Sequence, residues 1–190
     1  MKTLLGKLAL VLGLCLSMNA AHSLTLTFIG LNSGTFVRPN EGTPPTTVGT
    51  GAVPFDSLTF TVNASGIYTL LSQTDPTRDN YTFLYANNFD PQNPLLNVVL
   101  GNDDYLGIVG ISGFTTSLVA GTTYTFVSTV IDSTVPTTFG DWTTTIKGVG
   151  TAIPVPEAGS SALMAIGLAA VLLVSQGRRR ARSTALHSAA

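Results

Sequence analysis

The chain has 190 residues, 44% hydrophobic and only 10% charged, where about a quarter of residues are charged in an ordinary soluble domain. Its net charge of −1 hides a division: residues 24–157 carry Arg38, Arg78 and Lys147 against ten Asp and Glu, a balance of −7, while the other six basic residues lie at the two ends. The acidic middle excludes nucleic-acid binding, because it could not neutralise phosphates. Its lack of His and Cys excludes Ser-His-Asp and Cys-His nucleophiles and His- or Cys-based zinc hydrolysis, since His22, His187 and Cys15 all fall outside it.

Residues 1–23 read as a secretory signal peptide. Lys2 and Lys7 form a positive start, and Leu8 to Leu16 is an apolar run too short to span a bilayer. Ala21 and Ser23 place small residues at the −3 and −1 positions, so cleavage is expected before Leu24. Cys15 sits within the apolar run behind the bulky Leu14, which does not suit lipidation. With that cysteine removed, residues 24–152 form one domain held by its core, without disulfides.

The middle has a period of two. Leu24, Leu26 and Phe28 alternate with Thr25 and Thr27, and Leu58, Phe60 and Val62 alternate with Thr59 and Thr61. The same holds for Tyr81, Phe83 and Tyr85, for Tyr124, Phe126, Ser128 and Val130, and for Trp142, Thr144 and Ile146. Such alternation lays one face of a strand on a core and the other on solvent or a second layer. Further strands are expected at Ile67 to Leu71 and Leu95 to Leu100. Turn signals follow at Asn63 to Gly66, Gly101 to Asp104 and Ala120-Gly121. Arg38 to Pro54, rich in proline and glycine, reads as a loop or irregular crossover. The fold class is all-β, a single antiparallel sandwich or jelly roll of about eight strands, flanked by a signal helix and a C-terminal transmembrane helix.

Several stretches resemble bacterial β-sandwiches of the pre-peptidase C-terminal type. They are Ser65-Gly66-Ile67-Tyr68, Thr82 to Tyr85 with Phe89-Asp90-Pro91 and Asn93-Pro94-Leu95, Gly101 to Asp104, and Leu118 to Tyr124. The resemblance covers about Phe55 to Gly150 and implies a jelly-roll-like, non-catalytic accessory module.

After the domain come Val155-Pro156-Glu157 within a linker at 153–157, an uncharged apolar segment at 158–177, and a basic tail at 178–190 holding Arg178, Arg179, Arg180 and Arg182. An apolar segment of about 20 residues spans a bilayer, and the adjoining arginines stay on the cytoplasmic side. The domain is therefore expected outside, the topology that the leader predicts independently. This order of parts resembles the PEP-CTERM sorting signal of Gram-negative bacteria, with Ala158 where the family has its second proline. The resemblance implies recognition by an exosortase, cutting near Pro156 and Glu157, in a host that makes extracellular polysaccharide.

Carboxylates are the remaining chemical resource. A glycan hydrolase needs two across a cleft, but Asp90, Asp103, Asp104, Asp132 and Asp141 sit beside turn residues or strand ends, where Asp is favoured for local structure. Asn102, Asp103 and Asp104, with Asp90 in a related loop, form a candidate calcium site, since calcium takes several oxygen ligands from loops. Tyr68, Tyr81, Tyr85, Tyr105, Tyr124 and Trp142 could line a sugar-binding face, but most lie in alternating strands and are expected in the core, with Tyr105 the one expected at the surface. The sequence thus predicts a non-enzymatic protein of the cell surface or extracellular matrix with no required cofactor. Its partners would be an exosortase, the membrane and exopolysaccharide. A carbohydrate- or calcium-dependent adhesive module is the alternative, and a carboxylate-based glycan hydrolase is a remote one.

Overall fold

The computed structural model describes residues 22–29, 33–131 and 141–156. Within them the Thr- and aromatic-rich alternating runs become strands, as expected of residues that fit a pleated, half-buried surface. In chain order these are β1 (His22–Ile29), β2 (Gly34–Phe36), β3 (Val53–Val62), β4 (Gly66–Gln73) and β5 (Asn80–Ala86). They continue as β6 (Val98–Asn102), β7 (Ile111–Leu118), β8 (Thr123–Val130), β9 (Asp141–Gly148) and β10 (Ala152–Pro154). No helix among the described residues is long and apolar enough to cross a membrane, and the predicted segment at 158–177 lies outside them.

The strands form two antiparallel sheets. Sheet I has four strands in the order β1-β9-β4-β7, and sheet II has six, in the order β10-β3-β8-β5-β6 with β2 also on β3. Only the β2–β3 and β5–β6 connections stay within a sheet, so most sheet neighbours are distant in sequence: Thr25, for example, pairs with Thr145. Gly121, at φ +76°, makes the tight turn from β7 to β8, a conformation that costs glycine nothing.

Alternation places the inward residues of each sheet face to face. Tyr68 and Leu70 of β4, Phe114 of β7 and Ile146 of β9 meet Phe60 of β3, Leu84 of β5 and Phe126 of β8 in one buried cluster. Leu24 and Leu26 of β1 pack on its margin, half-buried. Phe114 and Phe126 meet edge to face across the sheets at 5.7 Å.

The centre of sheet II, β5 and β8, is buried on both sides. Tyr81, Phe83 and Tyr85 of β5 and Val127 of β8 belong to a second cluster with Phe36, Val53, Phe55 and Val98. The irregular crossover between β2 and β3 and the loop at Phe89 cover this face, and Phe89 lies within 5.5 Å of the Phe36, Phe55 and Tyr85 rings. This is why β5 and β8 are almost wholly buried although their sequences alternate.

The strand expected from Leu95 begins later, at Val98. Leu95 and Leu96 sit in an exposed turn, because Pro91 and Pro94 and the left-handed Asn97 (φ +63°) prevent regular pairing there. β2, β7 and β10 were not anticipated from the sequence. β7 has a weak pattern, and its Gly113 is required by a close approach: a Cβ there would collide with the Leu70 carbonyl oxygen of β4.

If the contact between sheets is the principal source of stability, Phe126→Ala should cost about 3–5 kcal/mol, the range for deleting a fully buried aromatic ring. A urea titration checks this. A loss below about 1 kcal/mol would mean that the sheets do not rely on this contact.

Candidate functional site

Strand pairing assembles an acidic cluster that the sequence separates. β5 and β6 run antiparallel with Thr82 opposite Asn102. Continuing that register past the ends of the strands brings Asp79, just before β5, beside Asp103 and Asp104, just after β6. Oxygens of these three carboxylates lie within 4.8 Å of one another. Their Oδ1 atoms are shielded from solvent, and for Asp103 and Asp104 those atoms have no hydrogen-bond partner among the described residues.

Burial pushes the Asp103 carboxyl up to about 6, helped by the neighbouring charges of Asp79, Asp104 and Glu41 and opposed by Arg38. Arg38 is held close by three contacts. Its guanidinium lies 4.3 Å above the Tyr81 ring, its Nε donates to the Ile131 carbonyl at 2.8 Å, and its Nη1 donates to the Pro39 carbonyl at 3.0 Å. Burial also raises the Tyr81 and Tyr85 phenols above their ordinary range.

Such a cluster is suited to a hard divalent cation. Calcium accepts carboxylate oxygens and completes its shell of six to eight with carbonyls and water. Asp90 does not join the group. Its Oδ1 accepts from the Gln92 N–H at 2.9 Å and its Oδ2 from Asn93 Nδ2 at 2.8 Å, bonds that hold its carboxyl below the usual range and close its own turn. The loop likeness that suggested Asp90 therefore marks a turn, while Asp79, which the sequence reading passed over, lies in the cluster. Asp79 could have been found only from the β5–β6 register.

Beside the cluster, the two sheets are stitched together by side chains. Ser112 Oγ donates to the Asn102 carbonyl at 2.9 Å, so the 2.8 Å contact between Thr82 Oγ1 and Ser112 Oγ has the threonine as donor. Asn102 Nδ2 donates to the Gly113 carbonyl at 2.7 Å. Beyond these bonds β6 and β7 part around a groove of about 410 Å³. It is lined by the buried Leu100 and Phe114, by Asn102 and the half-buried Tyr105, and by Glu41, Thr43, Thr115 and Thr116. Glu41 is its one carboxylate among the described lining residues. Of the other aromatic candidates, Tyr68, Tyr81, Tyr85, Tyr124 and Trp142 are buried.

The remaining predicted sites divide at the limits of the described chain. Ser23 lies exposed in β1, and Val155 and Pro156 are exposed just after β10. Ala21, Glu157, Arg178, Arg179, Arg180 and Arg182 lie outside the described residues, as does Asp132. β10 carries the domain to Pro154, two residues beyond the expected boundary, and Val155 N–H donates to the Thr59 carbonyl at 2.8 Å.

Asp103 provides a pH test. Its carboxyl is more basic in the folded chain than in the unfolded one. Below about pH 3 it is largely protonated in both states. As pH rises through about 6 the folded state must carry an ion that it disfavours, so this contribution to stability falls. Asp103→Asn should therefore gain on the wild type between about pH 4 and 7 and match it near pH 3, in paired urea titrations. A difference independent of pH would contradict the assigned surroundings.

No protein-family model matches this chain, and no curated protein matches it.

Proposed function

We propose that this chain is an exported, non-catalytic surface protein: a β-sandwich delivered by a signal peptide and processed at a C-terminal sorting signal of the PEP-CTERM kind. The observation that carries the reading is the order of parts around one sandwich. A basic and apolar leader precedes it, and Val155-Pro156-Glu157, an uncharged apolar segment and an arginine cluster follow it. The geometry at the junctions is compatible with processing at both ends. Cleavage before Leu24 removes two exposed residues from β1 and leaves the half-buried Leu24 opposite Ile146. At the other end the last sheet bond is made by Val155, and Pro156 is exposed directly beyond it. The partners are an exosortase and the membrane during sorting, and then the exopolysaccharide-containing surface on which the domain is displayed.

Intact mass and membrane fractionation from the native host test this reading. The wild type should yield a product lacking the apolar segment and arginines, and a Pro156→Ala/Glu157→Ala variant should stay full-length in the membrane. An intact tail in both would make the protein a simple anchored one.

A second reading, a calcium-dependent adhesive module, is favoured by one observation, the convergence of Asp79, Asp103 and Asp104. Calcium that binds only the folded chain adds about 2.7 kcal/mol of stability at one hundred times its Kd. On this reading calcium at neutral pH raises the melting temperature, and an Asp103→Asn/Asp104→Asn variant does not respond. A wild type that melts identically with calcium and with chelator excludes this reading and leaves the first intact.

A further inference from the structure

We propose that the groove between β6 and β7 is a docking site for an extended polypeptide segment of basic character, which adds as a strand to the free edge of β7. The direction of the backbone groups carries the argument. Residues 110 and 111 show which way each parity points: the Gly110 carbonyl accepts from Thr74 N–H at 2.9 Å, on the β4 side, whereas the Ile111 carbonyl accepts from Tyr105 N–H at 2.6 Å, on the other. The Gly113 carbonyl likewise turns away from β4, to Asn102 Nδ2. Odd-numbered residues of β7 therefore point outward. Thr69 and Thr115 stand opposite each other with their hydroxyls 2.9 Å apart, as in a pair that does not exchange backbone bonds. The N–H and C=O groups of Thr115 and Ser117 thus face away from β4, and among the described residues β7 pairs with no other strand.

The edge strands of sheet II are short or bridged by contrast. Gly42 exchanges two backbone bonds with Gly101 of β6, at 2.9 and 3.3 Å. β2 and β10 have three residues each, and β10 ends on a proline. Short strands, prolines and covering loops are the usual protections of a sheet edge. β7 is eight residues long and contains neither a charge nor a proline. Strand addition requires main-chain partners on one side and room for alternate side chains on the other. The Thr115–Ser117 edge supplies the first, and the groove, with its apolar base of Leu100 and Phe114, supplies the second.

Charge selects the ligand. Glu41 stands on the groove, Asp103 and Asp104 directly follow its Asn102, and residues 24–157 together carry −7. A basic side chain is attracted and an acidic one repelled.

The test uses the full chain in detergent and fluorescein-labelled hexapeptides of alternating Thr and Val, with one Lys at each position in turn, read by fluorescence anisotropy. At least one peptide should bind, and N-methylation of its alternate amides should weaken binding about tenfold, the effect of losing one or two backbone hydrogen bonds. Thr115→Pro, which removes an outward N–H and no backbone bond to β4, should do the same with a melting temperature near that of the wild type, whereas Thr115→Val, which loses the same exposed Thr69 hydroxyl contact but keeps the N–H, should bind as the wild type does. Glu41→Lys should weaken the lysine peptides several-fold and favour their glutamate counterparts. The proposal fails if no peptide of the set binds, or if the N-methylated peptide or a folded Thr115→Pro variant binds as well as the original. It also fails if a neutral glucan oligosaccharide displaces the peptide while Thr115→Pro leaves glucan binding unchanged, which would make the groove a sugar site.

Discussion

Leu70, Phe114 and Ile146 on one sheet meet Phe60, Leu84 and Phe126 on the other, and this apolar contact orders strands in which partners such as Thr25 and Thr145 are 120 residues apart. Burying such side chains contributes about 1.5–3 kcal/mol each, set against the entropy of fixing a chain with few local contacts. Residues 24–157 contain no cysteine, so no disulfide shares the task. β7 illustrates the dependence most clearly. Among the described residues it is bonded to one neighbouring strand, β4, and is otherwise placed by Phe114 against Phe126 and by the side-chain bonds among Thr82, Ser112 and Asn102.

The same architecture creates both candidate sites. The β5–β6 register that completes sheet II carries Asp79 to Asp103 and Asp104. The stitching at Asn102 closes one end of the space between the sheets, and beyond it the strands diverge and leave the groove. The acidic cluster costs free energy in the absence of a compensating charge, as the raised Asp103 carboxyl indicates. Arg38, stacked on Tyr81, offsets part of that cost.

Much of the fold was legible in the sequence because Thr alternating with large apolar residues has few other solutions. β1, β3, β8 and β9 lie where their period of two predicts, β4 lies where a run after the Asn63 to Gly66 turn is expected, and β5 follows its alternation too, although the burial of its second face under the crossover is a tertiary event that alternation does not express. β7 was not legible. Its run of Ile-Ser-Gly-Phe-Thr-Thr-Ser-Leu offers one large residue at its centre, and Gly113 is there for the approach of the β4 backbone rather than for strand propensity. The candidate sites suffered accordingly. Asp103 and Asp104 were visible as adjacent carboxylates, but Asp79 joins them through pairing, and Asp90 resembled them in sequence while serving its own turn. Tyr105 was expected at the surface and is half-buried beside the groove.

Among the described residues, β7 is locked to the core on one side and free on the other. Amide hydrogen exchange followed by NMR tests it residue by residue. The account predicts an alternation: Ser112, Phe114 and Thr116 exchange only with global unfolding, as do the amides of β8, while Thr115 and Ser117 exchange orders of magnitude faster. Uniform protection along β7 would show that its edge is already covered, and uniform fast exchange that β7 is not part of the sandwich core. Either result would contradict the account.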